Sequence, residues 1–191
     1  MEWEKKFNLE RENTARHVDF CVKLCILQMA EGRYFLFEHP RSATSWSMTK
    51  LAGLCKDPRV ETVNADQCAF GLTSTKHGIV GPAKKPTKFA SNSRHLLNEL
   101  EKRCSNDHAH VHLHEGRAAD AARYPEGLCR SICKGLSRQL KSDMMSTIGS
   151  RQFKTSHLAL MICSARRIWL EHWKEDMHEP DGNGKMRDDE N

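Results

Sequence analysis

A chain of 191 residues is long enough for one domain with a core, but only 38% of its residues are hydrophobic and 29% are charged, so part of it is expected to stay loose. Its longest apolar-rich runs, LCILQMA and HLALMIC, fall far short of the roughly 20 residues a membrane helix needs, and MEWEKKFNLERE holds no apolar leader. The expectation is a soluble intracellular chain, cytoplasmic or nuclear, with no membrane partner; a formal net charge of +5 is too mild to name any other partner by itself.

The first twelve residues read as an N-terminal arm. From about Asn13 to Glu31, Val18, Cys21, Leu24, Cys25 and Met29 follow helical spacing, and Gly32 is a natural C′ stop. The continuous run YFLF predicts a strand buried on both faces, the pattern typical of a parallel sheet. A short helix, SMTKLAGLCK, should follow and end before Pro58, and VETVNA alternates as a second strand. After a Gly/Lys/Pro-rich loop, PTKFAS can form a third strand, and SRHLLNELEKRC reads as a helix with Ser93 as its N-cap. Leu128, Ile132, Leu136 and Leu140 stripe a further helix with Pro125 in its first turn, and Leu158, Met161, Ile162, Ala165 and Trp169 stripe another. The alternation predicts an α/β domain over 13–141, a helical extension over 142–175, and a disordered acidic tail over 176–191.

Eight cysteines include no CxxC pair, and Cys21/Cys25 and Cys129/Cys133, each one helical turn apart, read as core packing on helices. From Arg117 to Lys154 eight basic residues face three acidic ones, either a solvated helix face or a phosphate-binding one. In an α/β sheet the polar residues that do chemistry cluster past the carboxyl ends of the strands. Glu38, His39 and Pro40 hold that place, where Glu38 either caps and salt-bridges locally or belongs to a site.

The segments EGRYFLFEHPRSATSW, VETVNADQCAFGL, KKPTKFASNS and RCSNDHAHVHLHEGRAADAARYPEGLCRSICKGL together resemble the C-terminal half of a cytosine-5 DNA methyltransferase-like domain, of the divergent kind found in phages and beside retrotransposon polyproteins. The resemblance covers about Arg16 to Leu136 and implies a partial Rossmann-like sheet of about three strands with flanking helices. In that family a strand ends in Glu-Asn-Pro or Glu-Asn-Val, whose glutamate binds and protonates the target cytosine; Glu38 matches it, with His39 in place of the asparagine. Phe70 and Gly71 match the family's Phe-Gly element, and Lys85 and Lys88 stand where arginines belong, with TSTKHGIVGPA inserted between. The family's Gly-rich turn for S-adenosylmethionine and its Pro-Cys nucleophile have no counterpart here. A carboxylate only assists proton transfer to a base that something else activates, so the isolated chain is expected to be inactive and without cofactor. It would be a truncated gene product or one piece of a longer polypeptide, taking S-adenosylmethionine only if the missing N-terminal half joins it. The nucleic acid implied as a weak partner would meet Phe70, Gly71, Lys84, Lys85, Lys88, Arg130 and Lys134.

A second constellation is independent of that family. His108, His110, His112 and His114 recur at period two, with Cys104 upstream. Residues two apart on a strand are roughly 6.6 Å apart, so two or three of these side chains can share one zinc ion, but not all four histidines. Cys104, His108 and His110 are the candidate ligands; polar or phosphate-facing histidines are the other reading. Two functions follow: a degenerate methyltransferase-like segment, or a non-catalytic, basic, histidine-rich module that binds nucleic acid or metal.

Overall fold

The computed structural model describes residues 2–76, 78–111, 113, 123–148 and 160–164. Helix α1 spans Glu2–Ala30 and stops at Gly32, which takes φ +69°. The Gly32 N–H donates to the Met29 carbonyl at 3.2 Å and the Arg33 N–H to that of Gln28 at 2.8 Å, the paired bonds of a Schellman stop. The predicted arm over 1–12 is thus helical from Glu2 onward. Strand β1 (Tyr34–Pro40) follows, then a single 3-10 turn (Thr44–Ser47), helix α2 (Thr49–Cys55) and strand β2 (Glu61–Asp66). A second 3-10 turn (Gln67–Phe70) leads into strands β3 (Thr73–Lys76) and β4 (Ile79–Pro82). Strand β5 (Pro86–Ser91), helix α3 (Arg94–Leu100), helix α4 (Glu126–Ile148) and strand β6 (Leu160–Ser164) complete the described elements.

The fold is α/β, but its main sheet, ordered β2-β5-β1-β6, is largely antiparallel. β1 pairs in parallel only with β6, whereas β5 runs antiparallel to both β1 and β2. β1 and β2 therefore point the same way, as a strand–helix–strand crossover requires, and β5 lies between them in the opposite sense. The run in YFLF does mark a strand covered on both sides. Phe35, Phe37 and Ala90 pack with Val18, Cys21, Val22, Cys25 and Met29 of α1 and Leu51 and Leu54 of α2. On the other side Leu36, Val63 and Phe89 meet Leu96, Leu97 and Leu100 of α3 and Leu128 and Ile132 of α4. Each of the large side chains among these removes about 1.5–3 kcal/mol worth of apolar surface from water.

Ser93 caps α3, its Oγ accepting from the Leu96 N–H at 3.3 Å. α3 and α4 are clamped by Glu99, which pairs with Lys134 at 3.0 Å and with Arg138. The segment expected as a loop insertion instead forms the β3–β4 hairpin. Lys76 pairs with Ile79 across a two-residue connection, and Gly78 supplies φ +79°. Two expectations are corrected. Cys129 and Cys133 are exposed on α4 rather than packed in the core, because the buried stripe of Leu128 and Ile132 lies one position away from each. Residues 160–164 form a strand beside β1, not part of a helix; their run of apolar residues suits the edge of a sheet as well as a helix face. The tail over 176–191 lies outside the described residues.

Gly53 lies exposed within α2, with open space where a Cβ would stand. Gly53→Ala is expected to stabilise the chain by about 0.5–1 kcal/mol, read as a rise in thermal midpoint, because it limits the unfolded backbone at no steric cost.

Candidate metal centre

The end of β2 and the 3-10 turn after it set one side of the site. Gly71, at φ +87°, closes that turn, its N–H donating to the Cys68 carbonyl at 2.9 Å. The other side is residues 101–111, which form neither helix nor strand. Asp66 joins the two. Its N–H donates to the Lys102 carbonyl at 2.9 Å, and its Oδ2 accepts from the Cys104 N–H at 3.1 Å and from Arg103 Nε at 2.8 Å. Burial pushes the Asp66 carboxyl up, but the Cys104 N–H and the Arg103 guanidinium overcome this and hold it below the usual carboxylate range.

Cys104 is thereby brought against Cys68. The donor atoms of Cys68, Cys104, His108 and His110 all lie within 4.8 Å of one another. Cys104 Sγ is 3.6 Å from His108 Nε2 and 3.3 Å from His110 Nε2. Zinc–sulfur and zinc–nitrogen bonds of about 2.3 and 2.0–2.1 Å set the edges of an S2N2 tetrahedron at about 3.3–3.8 Å. Both of those Cys104–histidine separations match it.

The surroundings orient the donors. Asn106 adopts the left-handed conformation, φ 58°, which a short polar side chain tolerates, and its N–H donates to Cys104 Sγ at 3.3 Å. Its Oδ1 accepts from Lys84 Nζ at 2.8 Å, tying the loop before β5 to the same turn. Asp107 Oδ1 stands 2.7 Å from His108 Nδ1 and accepts from Ser105 Oγ at 2.7 Å. A carboxylate accepts only, so it selects the tautomer with hydrogen on Nδ1 and leaves the Nε2 lone pair aimed at the sulfur. Without metal, the Cys68 thiol is pushed up to about 11 by burial, by its bond with Cys104 and by the negative charges of Cys104 and Asp66. A metal ion held there would relieve that repulsion and displace the proton.

Cys104, His108 and His110 were legible as candidates; Cys68 was not. It sits in AFGL's approach, DQC, and only the Asp66 bridge reveals that this turn faces Cys104. His112 and His114 lie outside the described residues.

The other predicted residues are dispersed. Glu38 lies within β1 on the α3/α4 side, buried rather than on an open surface, and its Oε2 accepts from the Tyr124 hydroxyl at 3.2 Å. Phe70 is buried on that same side, with Lys102 Nζ 5.2 Å from its ring centre. Lys85 is buried, and its carbonyl accepts from the Gln67 N–H at 3.1 Å. Lys88 belongs to the opposite face, its Nζ 4.5 Å from the Trp46 ring centre, beside His39, which packs with Phe37 and Trp46. Arg130 pairs with Glu126 at 2.5 Å and Lys134 with Glu99, so both α4 cations are engaged with acids of the chain. Among the described residues no helix is long and apolar enough to cross a membrane.

No protein-family profile, curated protein or solved structure matches this chain.

Proposed function

We propose that the chain is a zinc-binding module whose metal is structural and which performs no catalysis at that centre. One observation carries this reading: two sulfurs and two imidazoles, drawn from two separate stretches of chain, converge within 4.8 Å. Thiolate and imidazole together suit zinc and not magnesium or calcium. Four protein donors fill a tetrahedron and leave no position for water or substrate. The metal has mechanical work to do, because residues 101–111 expose most of their side chains and have no ladder of backbone bonds to hold them.

Atomic emission on the purified chain should find one zinc per molecule. Cys68→Ala and His110→Ala should each lose it on dialysis, while His112→Ala and His114→Ala should keep it. A zinc-free chain, or metal lost on changing His112 or His114, refutes the assignment.

A second reading, the methyltransferase-like segment with nucleic acid as partner, has the Glu38–Tyr124 contact in its favour, a carboxylate held by a hydroxyl near the carboxyl end of β1. The antiparallel lie of β5 between β1 and β2 lends the Rossmann-like half of that reading no support. S-adenosylmethionine heats in a titration calorimeter, weakened by Glu38→Ala, would favour it; their absence would leave the zinc module alone.

A further inference from the structure

We infer that the two sulfurs of the metal centre form a peroxide-sensitive pair, whose oxidation to a Cys68–Cys104 disulfide ejects the metal. The inference rests on the zinc reading above and concerns the regulation of that same site. Zinc has no redox chemistry of its own, so electrons can leave the centre only from its two thiolates. Their sulfurs already lie within 4.8 Å, and a disulfide needs about 2.05 Å. Neither backbone is locked in a long element that would forbid the approach: Cys68 sits in a single 3-10 turn, and Cys104 in a stretch without helix or strand. The pair is also set apart from other thiols. Among the described thiols, Cys21, Cys25 and Cys55 belong to the cluster on the opposite face of the sheet, while Cys129 and Cys133 are exposed on α4 and serve as the control pair.

Access favours Cys68 as the first sulfur to react. Its neighbour His108 keeps a third of its side chain exposed, whereas the Cys104 sulfur already accepts the Asn106 N–H. The Cys68 thiolate attacks one oxygen of hydrogen peroxide; an S–O bond forms, the O–O bond breaks, and the departing hydroxide takes a proton to become water. The Cys104 thiolate then attacks the Cys68 sulfur; the S–S bond forms, the S–O bond breaks, and a second hydroxide leaves as water. Two electrons pass from the sulfurs to the peroxide, two protons are consumed, and the metal, left with two imidazoles, is released as the divalent ion.

The test uses the full zinc-loaded chain, its zinc content measured first, and hydrogen peroxide as the oxidant. A chromogenic chelator should read one zinc released per chain, and peptide mapping after alkylation should find a Cys68–Cys104 disulfide. A thiol reductant with added zinc should restore the starting content. The Cys129→Ser/Cys133→Ser double variant should release zinc as fully as the parent. Zinc retained while Cys129 and Cys133 are oxidised, or zinc released without the Cys68–Cys104 bond, overturns the switch but leaves the structural metal standing. A chain that holds no zinc before peroxide overturns both.

Discussion

Cys104→Ser should lower the melting temperature of the chain in excess zinc by about 8–16 °C. A ligand at a thousand times its dissociation constant stabilises a folded protein by about 4 kcal/mol, and each kcal/mol moves the midpoint of a chain of this size by about 2–4 °C. Zinc should raise the midpoint of the parent and leave that of the variant unmoved, which separates loss of the metal from loss of a buried side chain. Equal midpoints for parent and variant in saturating zinc would show that the metal holds nothing together. The effect should reach beyond the ligands. The Val111 N–H donates to the Pro82 carbonyl at 2.8 Å, so the stretch that carries His110 also braces the β3–β4 hairpin. Amide exchange in β4 should quicken when a chelator removes the zinc.

Gly127→Ala should cost about 1–3 kcal/mol and weaken zinc binding at the same time. A Cβ at Gly127 would fall on the Phe70 carbonyl, and backbone cannot swing aside as a side-chain tip can. Phe70 shares its 3-10 turn with Cys68, so a displaced Phe70 would move a candidate metal donor. Gly135→Ala makes the matched comparison. A Cβ there would come within 2.7 Å of Leu96 Cα, which costs stability at the α3–α4 contact but lies away from the 3-10 turn. A Gly127→Ala chain that binds zinc like the parent would show the turn to be insulated from α4.

Much of the fold was legible because local chemistry and tertiary structure agree. Gly32 at its helix stop and Ser93 at its cap each act through the nearest few residues and are where the pattern put them, while Pro125, expected in the first turn, stands just before α4. Strand sense was not legible in the same way. YFLF and VETVNA are joined by a helix and do run alike, yet no local feature announces that β5 enters between them with the opposite direction. The exposure of Cys129 and Cys133 is likewise decided by which face of α4 finds a partner, not by spacing. The metal site shows the same division. Three of its candidate donors lie within one short stretch and could be read together, whereas Cys68 joins them only through the pairing that carries Asp66 to Cys104.

That division has a consequence in time. Cys104, His108 and His110 can gather around an ion before any sheet exists, since the loop they close is short and costs little entropy. Cys68 can join only after β3, β4, β5 and α3, all of which lie between it and Cys104, have found their places. Refolding in cobalt, whose absorption reports its thiolate ligands, should therefore show two phases. A fast one records capture by the local trio; a slower one, at the rate at which the sheet forms, records the arrival of the second sulfur. On the zinc reading the ion would be first a passenger of the chain and only at the end its fastening.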